Sequence, residues 1–295
     1  MPDRVTLRAH AKANLFLRVL TREASGFHQL ETLFALLDLH DELVVERTAS
    51  GITLTTEGAD TGPAEENLAY RAAAMVLEAT GRRFGVRLHL VKRIPVRAGL
   101  GGGSSDGAAA LHAVNRLADD AVPRHEILQF AAQLGSDVPF LASGAPMALA
   151  WGRGERMFRL RPPPATPALL IVPPFGIDTK AAYALLDAGA AREQRRGPVV
   201  LDRDAFDTWG TIARLGGNDF EGPVFGKEPE LKAIFERVAG TRPLLVRLSG
   251  SGSAVLGVYR NEVERAAAAL EIGSRDAQMI ETWTRNTPAR GPEVG

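Results

Sequence analysis

Three separated stretches carry residue types whose grouping could do chemistry. The first is Ala11-Lys12-Ala13-Asn14, which sets a lysine and an asparagine between apolar segments. The second is Arg97-Ala98-Gly99-Leu100-Gly101-Gly102-Gly103-Ser104-Ser105-Asp106, with Asp137 downstream in Ser136-Asp137-Val138-Pro139. The third is Ser249-Gly250-Ser251-Gly252-Ser253. Glycines accept positive φ and let backbone N–H groups approach a ligand, and a helix that starts after them aims its unpaired N–H groups and positive dipole end at the same spot. The second stretch therefore reads as a cradle for polyphosphate. Each stretch alone also has a plain reading. A flexible linker would account for the glycines, a snorkelling edge or turn residue for Lys12, a helix N-cap for Asp137 and a hairpin turn for Ser249 to Ser253.

The better-known templates fail on these residues. A Walker A loop requires a lysine after its last glycine, where this chain has Ser104. A dinucleotide fingerprint requires a third glycine, and the candidate positions hold Ser104 or Asp106. The protein-kinase triplet Asp-Phe-Gly has no counterpart closer than Asp219-Phe220-Glu221. The histidines (His10, His28, His40, His89, His112 and His125) show no metal-ligand spacing, and Gly250-Ser251-Gly252 falls short of a hydrolase nucleophile elbow.

Composition narrows the class further. With 35 basic and 35 acidic side chains, nothing global draws the chain to nucleic acid or an anionic membrane, so any anion must be held locally. Cysteine is absent, which excludes disulfides and thiolate chemistry and is compatible with a reducing cytoplasm. The amino terminus lacks the apolar segment of a signal peptide and no apolar run reaches membrane-spanning length. A cytoplasmic protein is the expectation. A chain of 295 residues with 45% hydrophobic content can furnish two cores.

The elements that must position these groups follow from periodicity. Val5, Leu7 and Ala9 alternate as a strand, as do Leu15, Leu17 and Val19, and Leu43-Val44-Val45 with Ile52 to Thr55 predicts a hairpin or meander around Ser50-Gly51. Glu65 to Thr80 has helical period, with acids in its first turn. Val86, Leu88 and Leu90 form a strand into the glycine run, and Ala108, Leu111, Val114 and Ala118 line a helix out of it, for which Ser104, Ser105 and Asp106 are suitable N-terminal residues. A further helix spans Pro123 to Leu134. Prolines from Arg161 to Pro167 mark a domain boundary. Beyond it the pattern gives a buried strand at Leu169 to Val172, a short helix from Thr179 to Leu186 and an exposed charged loop from Gly189 to Pro198. A helix ending at Gly240, strands at Leu244 to Leu248 and Ala254 to Tyr259, a helix from Glu262 to Leu270 and a strand near Ala277 to Thr282 complete an α+β sandwich. The tail after Thr284 is expected to fray.

Taken together, the stretches resemble the three motifs of the galactokinase, homoserine kinase, mevalonate kinase and phosphomevalonate kinase (GHMP kinase) superfamily. Ala11 to Leu17, Gly26-Phe27-His28-Gln29-Leu30-Glu31-Thr32-Leu33-Phe34, Pro95 to Ser105, Leu134 to Pro139 and Leu248 to Gly252 are similar, in order and spacing, to its branch acting on a cytidine-diphosphate methylerythritol. The likeness spans nearly the whole chain. It implies a two-domain α+β fold: a ribosomal-protein-S5-domain-2-like kinase domain over residues 1–160, a ferredoxin-like α/β sandwich over 168–285, and a disordered tail over 286–295. It implies ATP-dependent phosphorylation of the 2-hydroxyl of 4-diphosphocytidyl-2-C-methyl-D-erythritol, giving the 2-phosphate and ADP, on the non-mevalonate route to isopentenyl diphosphate. ATP and Mg²⁺ are the implied cofactors, the metal riding in with the nucleotide. No nucleic acid or membrane partner is implied, and the chain would be a monomer or homodimer.

The resemblance also implies roles at matching positions. Asp137 would face the acceptor hydroxyl as base, with Lys12 beside it to favour the carboxylate's charged form and neutralise growing charge. Pro95, Ala98, Gly99, Leu100, Gly101, Gly102, Gly103, Ser104 and Ser105 would wrap the ATP phosphates, Ser105 near Mg²⁺, and Asn67 would lie by the adenine. His28 would bond the cytosine edge between the faces of Phe27 and Tyr183. Asn14, Thr179, Gly250 and Ser251 would lie by the substrate. Phe27 stands where tyrosine is more usual, Gly107 where a small alanine is, and Ala190 to Arg203 aligns with nothing. The rivals are a sister kinase acting on homoserine, mevalonate or a sugar, against which the Gly-Phe-His element argues, and a silent nucleotide-binding protein, which would have no need of both Lys12 and Asp137.

Overall fold

In a computed structural model, which describes residues 2–189, 201–273, 277–289 and 291–294, the two alternating segments at the amino terminus belong to one strand, β1 (Arg4–Arg22). It pairs antiparallel with β2 (His28–Thr48), and the register shifts between His10 and Lys12 and again between Asn14 and Phe16. Such irregularities bend a strand and re-aim its side chains. Here they bracket Lys12 and Asn14, which share a face by the two-residue strand period while Ala11, Ala13 and Leu15 enter a core.

The hairpin expected around Ser50-Gly51 does not form. β3 (Ile52–Glu57) pairs in parallel with β4 (Gly85–Val91), which lies between β2 and β3. A parallel pair needs a long crossover, and a 3₁₀ turn at Ala64–Glu66 followed by α1 (Leu68–Ala79) supplies it. Hydrophobicity decides the order: Val86, Leu88 and Leu90 are fully buried in the inner strand, whereas β3 alternates half-buried and exposed positions at the edge. The acids Glu65 and Glu66 sit in the 3₁₀ turn, outside the helix, whose N-cap is Asn67.

The glycine run leads from β4 into α2 (Gly102–Leu117), followed by α3 (Arg124–Leu134), α4 (Val138–Ser143) and the hairpin β5 (Met147–Gly152) and β6 (Arg156–Arg159). The sheet order is β11 (Glu293–Val294), β1, β2, β4, β3, with β5 on the other half of β2. Ala69, Ala72, Val76, Leu111, Val114 and Phe140 from the helices pack on Val5, Leu7, Val45, Val86 and Leu88.

The second sheet begins after the prolines with β7 (Pro167–Val172), then α5 (Thr179–Gly189), α6 (Trp209–Arg214), α7 (Glu221–Lys227), α8 (Pro229–Gly240), β8 (Leu245–Leu248), β9 (Val255–Val258), α9 (Glu262–Ile272) and β10 (Gln278–Trp283). Its order β10-β7-β9-β8 is the ferredoxin-like β-α-β-β-α-β arrangement. β7 is buried on both faces, as its unbroken apolar run requires. Ala168, Leu170 and Val172 meet the first sheet's Ala11, Ala13, Leu15 and Leu33, while Leu169 and Ile171 meet Leu231, Ile234 and Val238 of α8 and Ala268 of α9. Of the charged loop expected from Gly189 to Pro198, Gly189 ends α5 and residues 190–198 lie outside those described.

In the tail expected to be frayed and disordered, described residues are held instead. The Arg285 guanidinium pairs with Asp38, the Ala289 amide donates to Gly144, and β11 (Glu293–Val294) joins the edge of β1 at Val5 and Thr6. An open edge of a long strand supplies unpaired N–H and C=O groups, which these residues fill.

Candidate active site

The three stretches converge. Gly99 and Gly101 adopt positive φ, and each is needed for close approach as well as for its dihedral. A side-chain carbon at Gly99 would overlap the Ser249 carbonyl oxygen, and one at Gly101 would stand 2.8 Å from Lys12 Cγ. The second serine-glycine loop is locked to the first by Ser249 Oγ donating to the Gly99 carbonyl (2.9 Å) and by the Ala254 amide donating to Ala98 (2.9 Å). The Lys12 amide donates to Leu100 across the third side (2.9 Å).

The start of α2 differs from the sequence expectation. Gly101, in a left-handed conformation, is the N-cap and no side chain caps the helix. Its first N–H groups thus keep their capacity for an external anion. Ser104 lines the cleft, but Ser105 turns away: its hydroxyl donates to the His10 carbonyl (2.7 Å) and it is buried on the far side of the helix. The helical turn of 100° per residue separates two adjacent serines in this way. Asp106 is likewise drawn inward. With Asp41 it flanks the Lys92 ammonium, at 2.6 Å from its own Oδ2, and Asp41 Oδ1 also accepts from the Ile94 amide (2.8 Å). Burial pushes the Asp106 carboxyl up, Lys92 pulls it back and Asp41 raises it again. Burial also works against the charge on Lys92, but the two carboxylates outweigh it and its pKa rises.

Lys12 is 3% exposed and its ammonium donates to Asn14 Oδ1 (2.6 Å) and stands 3.3 Å from Asp137 Oδ2. Asn14 is held in turn by Thr32 (2.8 Å), whose hydroxyl donates to the Phe16 carbonyl. A buried ammonium needs such partners. Asp137 occupies the N-cap position of α4, yet its side chain makes no capping bond and is 29% exposed, open to the cleft. The plain capping role is therefore not the one it fills.

All of this surrounds one cleft of about 1000 Å³. Lys12, Asn14, Asp137, Pro95, Ala98 to Ser104, Asn67, Thr179, Tyr183, Gly250 and Ser251 line it. The Asn67 Oδ1 caps α1 at the Ala69 amide (2.9 Å), and Thr179 Oγ1 meets Ser251 Oγ at 3.1 Å. Tyr183 feels the acid: burial, then the Asp137 charge, pushes its hydroxyl up to about 12.

His28 and Phe27 are placed differently from the expected base sandwich. The His28 ring itself stacks on Tyr183 (4.6 Å between centroids, 18° between planes), and its Nε2 lies 2.7 Å from Asp187 Oδ1. Phe27, 55% exposed, carries the Arg153 guanidinium 4.1 Å above its ring. Neither lines the cleft, although their partners Tyr183 and Arg153 do. The acid on α5 draws the imidazole onto the tyrosine face. Arg153, Thr32, Phe220 and Lys92 line the cleft without having been singled out in the sequence. Arg153 stands between Gly152 and Gly154, both at positive φ, so a tight turn aims it, and a Gly-Arg-Gly string is the signal that was there to read.

The chain matches the model of the GHMP kinases N terminal domain over residues 67–147, and a homoserine kinase from Cytophaga hutchinsonii has the same fold, at TM-score 0.71 and 19% identity over 100% of this chain and 98% of that one. The fold is thus that of the GHMP kinases. A 4-diphosphocytidyl-2-C-methyl-D-erythritol kinase of Pelotomaculum thermopropionicum is 38% identical over 96% of this chain and 98% of its own length. A crystal structure of a 4-(cytidine 5'-diphospho)-2C-methyl-D-erythritol kinase superposes at TM-score 0.80 and 37% identity, over 95% of this chain and 98% of that one. The chain belongs to the 4-diphosphocytidyl-2-C-methyl-D-erythritol kinase family.

Proposed function

We propose that the protein transfers the γ-phosphoryl group of ATP to the 2-hydroxyl of 4-diphosphocytidyl-2-C-methyl-D-erythritol, releasing ADP and the 2-phosphate. The observation that carries this is the Lys12–Asp137 pair, 3.3 Å apart, at the mouth of an uncapped helix that follows a glycine loop. The amides of Gly99 to Gly103 and Ser104 hold the phosphates, and Asn67 stands by the adenine. The Asp137 carboxylate orients the acceptor hydroxyl and receives its proton as the new P–O bond forms and the bond to ADP breaks. In a loose transition state that proton leaves late, so orientation counts as much as basicity. Lys12 offsets the charge that gathers there, held in place by Asn14.

ATP enters as its Mg²⁺ complex. Among the described residues no group of three His, Cys, Asp or Glu forms a metal cage, and Ser105 donates its hydroxyl to the His10 carbonyl, so these residues do not fit a resident metal. The acceptor's cytidine end lies towards Tyr183, His28, Phe27 and Arg153, with Thr179, Gly250 and Ser251 along its path. We place the first unit at residues 1–160 and the second at 168–285, and the reaction in the cytoplasm. The protein works as a monomer or a homodimer. No helix among the described residues is long and apolar enough to cross a membrane.

The test is ADP release over an acceptor panel. ATP consumption should require the cytidylyl methylerythritol; turnover on homoserine or mevalonate in its stead would move the assignment to a sister kinase.

A further inference from the structure

Behind the phosphate loop, on the opposite side of α2, lies a second cavity of about 320 Å³ that the proposed reaction does not use. Its body is apolar, formed by Leu36, Ala108, Ala109 and Leu141, and the carboxy-terminal tail closes one side with Pro288 and Ala289. Three arginines, Arg8, Arg124 and Arg159, also line it, and no lining residue is an aspartate or glutamate. Among the described residues no carboxylate pairs with any of the three, and only Arg124 has a partner, the Ser143 carbonyl at 3.1 Å. Unpaired guanidiniums around an apolar hollow are an anion site by chemistry, since each presents a fork of donors that matches phosphate oxygens. The volume falls within the range of small-molecule sites.

The cavity touches the machinery. Ser105 forms part of its wall and ties α2 to β1 through the His10 carbonyl, while Gly103 and Ser104, the two residues before it, face the cleft. His10 also lines the cavity; burial, and then the Arg285 guanidinium beyond the lining, lower its pKa against the pull of Asp38.

We propose that this cavity is an effector site for a phosphate monoester with a short apolar tail, acting on nucleotide affinity through the Ser105 contact. Three positive groups suit a dianion, and the apolar body suits its tail. The site is distinct from the catalytic cleft, so it stands whichever acceptor the kinase uses.

Hexyl phosphate is the probe, titrated calorimetrically into the full chain with the cleft saturated by a non-hydrolysable ATP analogue. Saturable one-site binding should persist. Inorganic phosphate, without the tail, and hexanol, without the charge, should each bind about tenfold or more weakly. In Arg8→Ala/Arg159→Ala, hexyl phosphate should bind about tenfold more weakly. Basal turnover should stay within about twofold, since both side chains are exposed. In the wild type, saturating hexyl phosphate should change the KM for ATP by about fivefold. Displacement of the probe by the ATP analogue, unaltered binding in the double variant, or an unmoved KM for ATP would each overturn the proposal.

Discussion

Two lysine–aspartate groups flank the same phosphate loop, and they differ in how deeply their acids are buried. Lys92 sits between Asp41 and Asp106 with all three side chains at 2% exposure or less, and Asp41 spends its other oxygen on backbone amides. Lys12 is as buried, but its carboxylate partner is not: Asp137 keeps a third of its surface open and makes no capping bond. A closed group is a clamp, here fixing β4, β2 and the start of α2 relative to each other. An open one has lone pairs to offer a substrate. Under the proposed function, identical residue types divide into scaffold and chemistry according to burial of the acid.

Variants can separate the two. Lys92→Met should cost about 3–5 kcal/mol of stability, because it strands two buried carboxylates. Adding Asp41→Asn and Asp106→Asn should recover part of that in chemical denaturation. If Lys92→Met leaves the unfolding midpoint in place, the clamp reading is wrong. Lys12→Met keeps the stem that fills the space beside Gly101 and removes the charge, so turnover should fall about 10²–10³-fold with little change in melting temperature. Loss of stability without loss of turnover would reverse the assignment of the two lysines.

A third handle is pH. Burial, then Arg285, lowers His10 from 6.5 to about 4. The folded protein binds this proton less readily than the unfolded chain, so the contribution is present above pH 6.5 and is lost as pH falls towards about 4. It amounts to about 3 kcal/mol. His10→Asn should flatten the pH dependence of unfolding over that window, and matching curves for variant and wild type would contradict it. The smallest effect belongs to the edge of the cleft. His28→Ala removes one ring of the Tyr183 stack and should raise the KM for the acceptor about tenfold, with kcat nearly unchanged. An unaltered KM would detach that ring pair from acceptor binding.

Much of this was legible in the chain. Glycine at 99 and 101 announces close backbone approach, the β7 run announces burial on both faces, and the order of the three stretches announces the family. What stayed hidden depends on contacts remote in sequence. Lys92, Asp41 and Asp106 carry no shared spacing, and only the sheet brings them together. Ser104 and Ser105 look interchangeable until the helix phase is fixed, and Gly101, rather than either serine, turns out to start that helix. The turn at Ser50-Gly51 looked like a hairpin because local residues cannot reveal that β4 inserts beside β2. Glu293 and Val294 gave no strand signal of their own; the open edge of β1 recruits them. His28 was identified as a site residue, but its partner Asp187, on α5, was not.

The most direct test is Asp137→Asn, measured for nucleotide binding and for ADP release on the same preparation. Nucleotide affinity should be retained while turnover with 4-diphosphocytidyl-2-C-methyl-D-erythritol falls about 10²–10⁴-fold. Turnover at the wild-type rate would show that the open carboxylate is not where the phosphoryl acceptor is activated.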